Sequence, residues 1–249
     1  MDDARLARSL AEAAGRRLLA VRSSGLEGTA LKAAGDAAAQ QVLAEMLAEH
    51  RPFDAVLSEE AVDDPARLSA SRVWIIDPLD GTREFSERPR TDWAVHVALW
   101  QDGELVAGAV TLPAASVGYD TSEALSHGSA GDPLRLAVSR SRPPAFVQQL
   151  AADLAAVLVP MGSAGVKATS VLRGETDAYV HAGGQYEWDS AAPVAVARAA
   201  GLHVSRIDGS PLRYNQRDPS LPDLVVCHPE VADTVLHAIA RQLDEVSTP

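Results

Sequence analysis

Apolar residues recur every three or four positions over the first 22 residues and predict an amphipathic helix. The residues on its apolar face are Leu6, Leu10, Ala14, Leu18 and Val21. The helix is expected to end near Ser23-Ser24-Gly25, because serine and glycine favour helix termination. A second helix is predicted over residues 36–49, where apolar residues again gather on one face.

Short apolar runs bounded by acids and turn residues predict the strands of the first half. They lie at residues 55–57, 73–76, 93–99, 105–112 and 116–120. The dipeptide Asp102-Gly103 separates two of these runs and is typical of a β-hairpin turn. The first half is therefore predicted to be α+β, with antiparallel strands.

A turn-rich segment, SHGSAGDP at residues 126–133, separates this half from a different pattern. Beyond it strands and helices alternate, which favours an α/β arrangement. The predicted strands lie at 134–138, 157–160, 178–181, 203–207 and 224–227, and the predicted helices at 144–155, 164–173, 190–200 and 230–243. We therefore predict an N-terminal subdomain over residues 1–130 and a C-terminal subdomain over 131–249.

Composition and charge narrow the classes of function. Of the 249 residues 47% are apolar and 22% charged, which is typical of a folded globular protein. The 22 Lys and Arg stand against 34 Asp and Glu, giving a net charge of −12. This balance argues against nucleic-acid binding, because that requires a basic surface along the phosphate backbone. An acidic enzyme that takes an anionic substrate needs cations or local dipoles to offset the repulsion.

The cysteine content and the N-terminal segment bear on the compartment. Cys227 is the single cysteine, so neither an intramolecular disulfide nor a cysteine-based zinc site is expected. No apolar run approaches 18 residues, so no membrane span is predicted. Arginines and acids interrupt the N-terminal segment, unlike the apolar core of a signal peptide. We therefore expect a cytoplasmic protein.

Acidic residues directly follow two of the predicted strands, in Leu57-Ser58-Glu59-Glu60 and Asp77-Pro78-Leu79-Asp80-Gly81-Thr82. The proline favours a turn that brings Asp77 and Asp80 to one side. Clustered carboxylates repel one another unless a cation lies among them, and all-oxygen ligands suit Mg²⁺, Mn²⁺ or Ca²⁺ better than zinc. The alternative is an ordinary surface turn with a solvated acidic rim.

Two further features extend this cluster. Gly81-Thr82 is suited to open a helix whose free N–H groups bind a phosphate. Asp189, in Trp188-Asp189-Ser190, lies at the start of a predicted helix. It either caps that helix or projects its carboxylate across a cleft towards the first cluster, and the two interpretations are compatible.

These motifs resemble those of the inositol monophosphatase superfamily of Mg²⁺-dependent, lithium-sensitive phosphatases. The segments that carry the resemblance are Glu59-Glu60, Asp77-Pro78-Leu79-Asp80-Gly81-Thr82 and Trp188-Asp189. Three segments are similar to its 3′(2′),5′-bisphosphate nucleotidase branch: Asp80-Gly81-Thr82-Arg83-Glu84-Phe85, Val138-Ser139-Arg140-Ser141 and Gly162-Ser163-Ala164-Gly165-Val166-Lys167. The similarity runs in order from about residue 5 to 243.

The resemblance implies a layered αβαβα sandwich and a metal site. The implied metal ligands are Glu59, Asp77, Asp80, Asp189 and the carbonyl of Leu79. They would hold two or three Mg²⁺ ions, with Mn²⁺ as a substitute and Li⁺ as an inhibitor. Asp36 would serve a third, weaker metal position, although Ala33 stands where the family usually has a threonine three residues before that acid.

The resemblance also implies roles in catalysis and substrate binding. Glu59, Asp80 and Thr82 would be the catalytic residues, with Glu59 and Thr82 positioning the attacking water. The implied substrate contacts are Leu79, Asp80, Gly81, Thr82, Ser139, Arg140, Ser163, Lys167 and Asp189. Arg142 stands where the nucleotidase branch often has histidine, which leaves the adenine contacts open.

The implied activity is hydrolysis of adenosine 3′,5′-bisphosphate to AMP and phosphate, in sulfur assimilation, by a homodimeric enzyme. One alternative is a broader phosphatase acting on inositol phosphates or fructose 1,6-bisphosphate. Another is a non-catalytic sensor of metal and nucleotide. A pure sensor would need Asp77 and Asp80 but not both Glu59 and Thr82, so the presence of all four favours an enzyme.

Overall fold

A computed structural model describes residues 1–247 of the chain. Its helices are α1 (Asp3–Arg22), α2 (Gly28–His50), α3 (Thr82–Ser86), α4 (Ala145–Asp153), α5 (Ala164–Leu172), α6 (Glu187–Ala199) and α7 (Ala232–Ser247). Its strands are β1 (Ala55–Ser58), β2 (Arg72–Asp80), β3 (Ala94–Gln101), β4 (Glu104–Leu112), β5 (Val117–Asp120), β6 (Arg135–Ser139), β7 (Val157–Met161), β8 (Ala178–Tyr186), β9 (His203–Ser205) and β10 (Ser220–Cys227).

These elements stack in five layers, which confirms the αβαβα arrangement. Helices α1 and α2 form one outer layer and α4 and α7 the other, with α5 and α6 between the two sheets. Three apolar clusters fill the spaces on either side of the sheets. Within residues 1–247, none of the helices combines the length and apolar character that crossing a bilayer requires.

The first sheet has the strand order β1-β2-β3-β4-β5. Only β1 and β2 run parallel, and the remaining pairs are antiparallel. Trp74 and Ile76 face α1 and α2, whereas Val73 and Ile75 face the middle layer, as the period of two along a strand requires. Because β2 is buried on both faces, its apolar run is continuous, as the sequence indicated.

The second sheet has the strand order β7-β6-β8-β10-β9. Strand β6 lies parallel to both β7 and β8, while β10 pairs antiparallel with β8 and β9. The second half is therefore a mixed sheet, with α4 and α7 packed on its outer face.

Helix α6 belongs to the second half of the chain but packs against β3 and β4 of the first sheet. The connection between the halves, residues 121–134, contains no helix or strand. The predicted boundary falls within it, and the division into subdomains 1–130 and 131–249 stays a prediction.

Three elements differ from the sequence prediction in ways that affect the acidic residues. Helix α2 begins at Gly28, eight residues before the predicted start, because residues 28–39 are dominated by strong helix formers. Asp36 therefore lies inside the helix. Strand β2 continues through Asp80 where a turn was predicted, and α6 begins at Glu187, so Asp189 is its third residue.

Candidate metal and phosphate site

A β-bulge at the end of β2 places Asp77 and Asp80 on the same side of the first sheet. Asp77 pairs with His96 and Asp80 with Ala94, so three steps along β2 match two along β3. In a regular strand, residues three apart point to opposite faces, and the extra residue of a bulge reverses that alternation. The Asp77 carboxylate also accepts a hydrogen bond from the N–H of Leu79 at 3.0 Å. The bulge thus brings Asp77 and Asp80 to one side, as the predicted turn was expected to do.

Asp189 completes a cluster of three carboxylates from two halves of the chain. Asp77, Asp80 and Asp189 each offer one oxygen, and these oxygens lie within 4.8 Å of one another. Asp189 also accepts a hydrogen bond from the N–H of Tyr186, so it caps α6 as well as reaching the cluster. A site made of oxygen ligands alone fits a hard cation such as Mg²⁺.

The mutual repulsion of these acids supports that fit. Burial, and then the charges of Asp80, Glu59 and Asp189, raise the pKa of Asp77 well above its usual value. Glu59 lies at the accessible rim, where partial desolvation and then the charge of Asp189 raise its pKa to about 7. Burial and the charge of Asp80 raise the pKa of Asp189 to about 6. A bound cation would relieve this repulsion.

Asp80 differs from its neighbours because the protein surrounds it with donors. It accepts hydrogen bonds from the Ser163 hydroxyl and from the N–H groups of Ala164 at 3.0 Å and Gly165 at 2.7 Å. These donors form the start of α5, where the helix dipole favours an anion. Although burial opposes ionisation, the charge of His96 and these hydrogen bonds hold the pKa of Asp80 below its usual value.

Asp36 reaches the same region from α2. Burial and then the charge of Glu60 raise its pKa to about 6, and a hydrogen bond with Thr82 acts in the opposite direction. Gly35 allows this approach, because a Cβ there would lie 2.7 Å from Phe85 Cε1 and 3.0 Å from Leu79 Cδ2. Asp36 and Thr82 therefore lie side by side at the edge of the acidic cluster.

A cleft of about 500 Å³ opens beside these acids, between the two halves of the chain. The predicted site residues that line it are Asp80, Gly81, Thr82, Ser139, Ser163, Lys167 and Asp189. Lys167 is buried and donates to the carbonyl oxygen of Ser163 at 2.6 Å. Burial lowers the pKa of its ammonium group, while the surrounding acids oppose that effect.

Arg140 pairs with Asp92 and is not among the residues that line the cleft. Its guanidinium donates to Asp92 at 2.7 Å and to the carbonyl oxygen of Pro160 at 3.1 Å. Among the described residues it is Arg142, from the same loop, that lines the cleft. The predicted contact of Arg140 with substrate stays untested, but Arg142 is better placed for it.

Two residues of the site, His96 and Glu84, were not predicted from the sequence. His96 is buried in β3, with Nε2 3.2 Å from the Asp80 carboxylate, and its only signal was a polar residue in an apolar strand. Glu84 is buried at the wall of the cleft, and burial raises the pKa of its carboxyl. Glu84 belongs to a segment that resembles the nucleotidase branch, but its spacing predicted no role for it in the site.

The comparisons with known proteins agree with this architecture. The chain matches the inositol monophosphatase family over residues 4–245. It is 52% identical to the 3′-phosphoadenosine 5′-phosphate phosphatase of Mycobacterium leprae (strain TN), over 96% of this chain and 94% of that protein. It is 34% identical to the 3′(2′),5′-bisphosphate nucleotidase CysQ of Escherichia coli (strain K12), over 76% and 81% of the two chains.

A solved structure shows the same fold. The crystal structure of CysQ from Bacteroides thetaiotaomicron, a bacterial member of the inositol monophosphatase family, superposes with a TM-score of 0.79. The two chains are 27% identical, and the match covers 91% of this chain and 97% of that one. Sequence and architecture lead to one conclusion: this chain belongs to the inositol monophosphatase family.

Proposed function

We propose that this protein is a Mg²⁺-dependent phosphomonoesterase that hydrolyses adenosine 3′,5′-bisphosphate to AMP and phosphate. The observation that carries the proposal is the cluster of Asp77, Asp80 and Asp189, which adjoins a cleft that also contains cationic side chains. Relatives named as phosphatases of this nucleotide support the choice of substrate.

The residues proposed to hold the metal are Glu59, Asp77, Asp80, Asp189 and the Leu79 carbonyl, with Asp36 at a third position. When bound, Mg²⁺ supplies charge that neutralises the phosphate and lowers the pKa of water. Two or three ions, replacement by Mn²⁺ and inhibition by Li⁺ are part of the proposal. The charge of His96 and the hydrogen bonds to Asp80 hold the pKa of this carboxyl below its usual value, which favours the ionised form that binds a cation.

Glu59 and Thr82 are proposed to position the attacking water, and Asp36 supports Thr82 from α2. The Thr82 hydroxyl lies 3.2 Å from the Leu79 carbonyl oxygen, and its single proton can be donated either to that oxygen or to the Asp36 carboxylate. A hydroxyl held there is oriented by the loop itself and needs little reorganisation to meet a water. With a pKa of about 7 before metal binds, Glu59 loses its proton most readily when a cation is nearby.

The scissile phosphate is proposed to rest against the backbone of residues 79–82. Gly81 has a φ of 87°, a left-handed conformation that glycine adopts without strain. A Cβ at this position would also lie only 3.2 Å from Ser163 Cβ and 3.3 Å from Trp93 Cβ. The glycine therefore lets the loop lie close to the start of α5.

Selection of the nucleotide is proposed to rest with Ser139, Ser163, Lys167 and Arg142 on the opposite wall. Lys167 is held in place by two carbonyl oxygens and lies 5.4 Å from the centre of the Tyr179 ring. Its charge and that of Arg142 suit a substrate with a second phosphate better than one with a single phosphate. A homodimer, action in the cytoplasm and a place in sulfur assimilation complete the proposal.

The test is phosphate release from adenosine 3′,5′-bisphosphate, inositol 1-phosphate and fructose 1,6-bisphosphate, each with Mg²⁺, with chelator and with added Li⁺. We expect kcat/KM for the nucleotide to exceed the others by about a hundredfold, or roughly 2.7 kcal/mol of discrimination. Rates within a few-fold of one another would favour the broader phosphatase. No Mg²⁺-dependent release from any of the three would favour the non-catalytic sensor.

A further inference from the structure

We infer that Arg67 is a positioning residue that fixes the segment following Glu59 against the first turn of α6, which carries Asp189. The inference rests on the proposed function, because it takes Glu59 and Asp189 as ligands of one metal site. Arg67 lies outside that site and contacts none of its proposed ligands; it acts through the residues described below.

The segment after Glu59 has little to hold it. Residues 59–66 are all solvent-exposed, and the side chain of Val62 is 99% exposed. The next residue, Arg67, lies in a short 3-10 helix (Pro65–Ser69) and is only 1% exposed. An exposed eight-residue segment is thus fixed at one end by β1 and at the other by a buried cation. Whatever fixes Arg67 also limits where Glu59 and Glu60 can lie.

The guanidinium of Arg67 donates hydrogen bonds both to Asp63 in its own segment and to Asn215 and Gln216. Its Nε and Nη2 donate to the two oxygens of Asp63 at 2.6 and 3.0 Å, within its own segment. Its Nη1 donates to Asn215 Oδ1 at 2.7 Å, and its Nη2 to the carbonyl oxygen of Gln216 at 3.0 Å. Burying a cation is costly unless it is paired and hydrogen-bonded, so four such bonds define one geometry.

Asn215 carries the contact onward to α6. Its side-chain amide donates to the Arg67 carbonyl oxygen at 3.3 Å, which makes the contact reciprocal. Its φ of 59° is left-handed, a conformation that asparagine tolerates better than most residues. This geometry aims the N–H groups of Asn215 and Gln216 at Glu187, whose two oxygens accept them at 2.6 and 2.7 Å.

Glu187 is the first residue of α6, 1% exposed, and two positions before Asp189. The hydrogen bonds through Arg67, Asn215 and Glu187 therefore connect the segment that begins at Glu59 to the first turn of α6, which carries Asp189. Glu59 and Asp189 come from different halves of the chain, so neither half alone determines the distance between them. The buried arginine supplies that constraint from outside the site.

The experiment compares Mg²⁺ affinity, measured by titration calorimetry on the full chain, with hydrogen exchange of residues 59–66 and with kinetics. Arg67→Met removes all four donated bonds and keeps the apolar stem. Arg67→Lys keeps the positive charge but loses the planar guanidinium that donates to several acceptors at once. The matched control is Arg135→Met, because Arg135 also pairs with a buried carboxylate, Asp177, and neither residue lines the cleft.

We expect Arg67→Met to weaken Mg²⁺ binding at least tenfold, about 1.4 kcal/mol, and to speed exchange over residues 59–66. The lysine variant should recover part of both losses. Arg135→Met should lower thermal stability while leaving Mg²⁺ affinity within twofold. In kinetics, Arg67→Met should raise the Mg²⁺ concentration needed for half-maximal rate more than it raises KM for the nucleotide.

Arg67→Met with Mg²⁺ affinity within twofold of wild type would overturn the inference. If that variant does not fold, Asn215→Gly replaces it, since glycine keeps the left-handed backbone and removes only the side-chain bridge. A wild-type protein that binds Mg²⁺ but releases no phosphate from the nucleotide would refute the proposed activity alone. Weaker Mg²⁺ binding by Arg67→Met in that protein would still support the inference.

Discussion

The imidazole of His96 lies against the carboxylate of Asp80, with Nε2 3.2 Å from Oδ2. Its other nitrogen, Nδ1, lies 3.1 Å from the carbonyl oxygen of Trp188, one residue before Asp189. Burial disfavours a charged ring, but the charge of Asp80 outweighs it and raises the pKa of His96. A single ring thus touches the end of β2 and the first turn of α6, the two elements that supply the three clustered carboxylates.

Asp189→Asn is expected to lower kcat/KM for the nucleotide by at least about a hundredfold, roughly 2.7 kcal/mol, because it removes one charge from the metal cluster. Calorimetry should show weaker Mg²⁺ binding in the same variant. Glu104→Gln, at an exposed position on β4, is the control and should leave both quantities unchanged. Turnover of Asp189→Asn within about threefold of wild type would refute its assignment as a metal ligand.

Gly165→Ala is expected to destabilise the protein through His96. A Cβ at this position would lie 2.1 Å from Nε2 of that buried ring, which has no room to withdraw. Overpacking of this kind costs about 1–3 kcal/mol, and each kcal/mol lowers Tm by roughly 2–4 °C in a chain of this size. Differential scanning calorimetry measures the effect.

The control for that change is Gly128→Ala, since nothing lies within 4 Å of a Cβ there. Equal Tm values for the two alanine variants would show that His96 yields easily. Weaker Mg²⁺ binding by Gly165→Ala alone would show that the contacts of Gly165 and His96 with Asp80 orient that carboxylate.

Acid pH is expected to stabilise the metal-free protein and to weaken its binding of Mg²⁺. Desolvation and neighbouring charge raise the pKa of Glu59 to about 7, above its unfolded value, so the folded state binds more protons between about pH 4 and 7. Its contribution to the free energy of unfolding therefore falls as pH rises through that window. Metal binding must displace these protons, so Mg²⁺ affinity should rise over the same range.

The measurement is Tm between pH 5 and 8 for chelator-treated wild type and Glu59→Gln. Burial lowers the pKa of His181 to about 4, which acts in the opposite direction, so the difference between the two proteins isolates Glu59. The variant should lose less stability than wild type as pH rises. Parallel curves would mean that Glu59 titrates normally.

Arg142→Ala is expected to separate substrates by their number of phosphates. Arg142 lines the cleft, so loss of its charge should lower kcat/KM for adenosine 3′,5′-bisphosphate about tenfold, roughly 1.4 kcal/mol. The effect on inositol 1-phosphate should stay under about twofold. Steady-state kinetics on both substrates give the ratio.

The comparison variant is Arg140→Ala, which breaks the ion pair with Asp92. Asp92 also accepts from the N–H of Gly162 at 2.7 Å, next to the serine that holds Asp80. We therefore expect this variant to affect both substrates alike. A selective effect of Arg140→Ala, with none from Arg142→Ala, would restore the original assignment of Arg140.

Much of this architecture is readable from local patterns. Apolar periodicity predicted most helices and strands, since each element signals its buried face within a few residues, whereas the five-layer arrangement was implied by the family resemblance. The acidic motifs were also visible, because Asp77, Asp80 and Asp189 lie next to strand and helix ends. The bulge in β2 was not, because it depends on how β2 pairs with β3 rather than on its own sequence.

The contacts that orient these acids were hidden for the same reason. Arg67 and Asn215 are 148 residues apart in sequence, and Ser163 and Asp80 are 83 apart. A lone arginine in an exposed acidic segment has the pattern of a solvated side chain, and only the folded chain reveals that it is buried. His96 gave no signal beyond being a polar residue in an apolar strand, whereas the fold places it within reach of Asp80.

The middle layer has a consequence for how the chain can be divided. Helices α5 and α6 come from the second half, yet they cover the inner face of the first sheet, so residues 1–130 alone would leave Val73, Ile75 and Val110 uncovered. A break in the connection at residues 121–134 would cut no helix or strand. Two co-expressed fragments, divided in this connection, should therefore reassemble into an active complex, while each fragment alone should aggregate. Recovery of activity would then test whether the two halves share one core, with no substitution in the sequence.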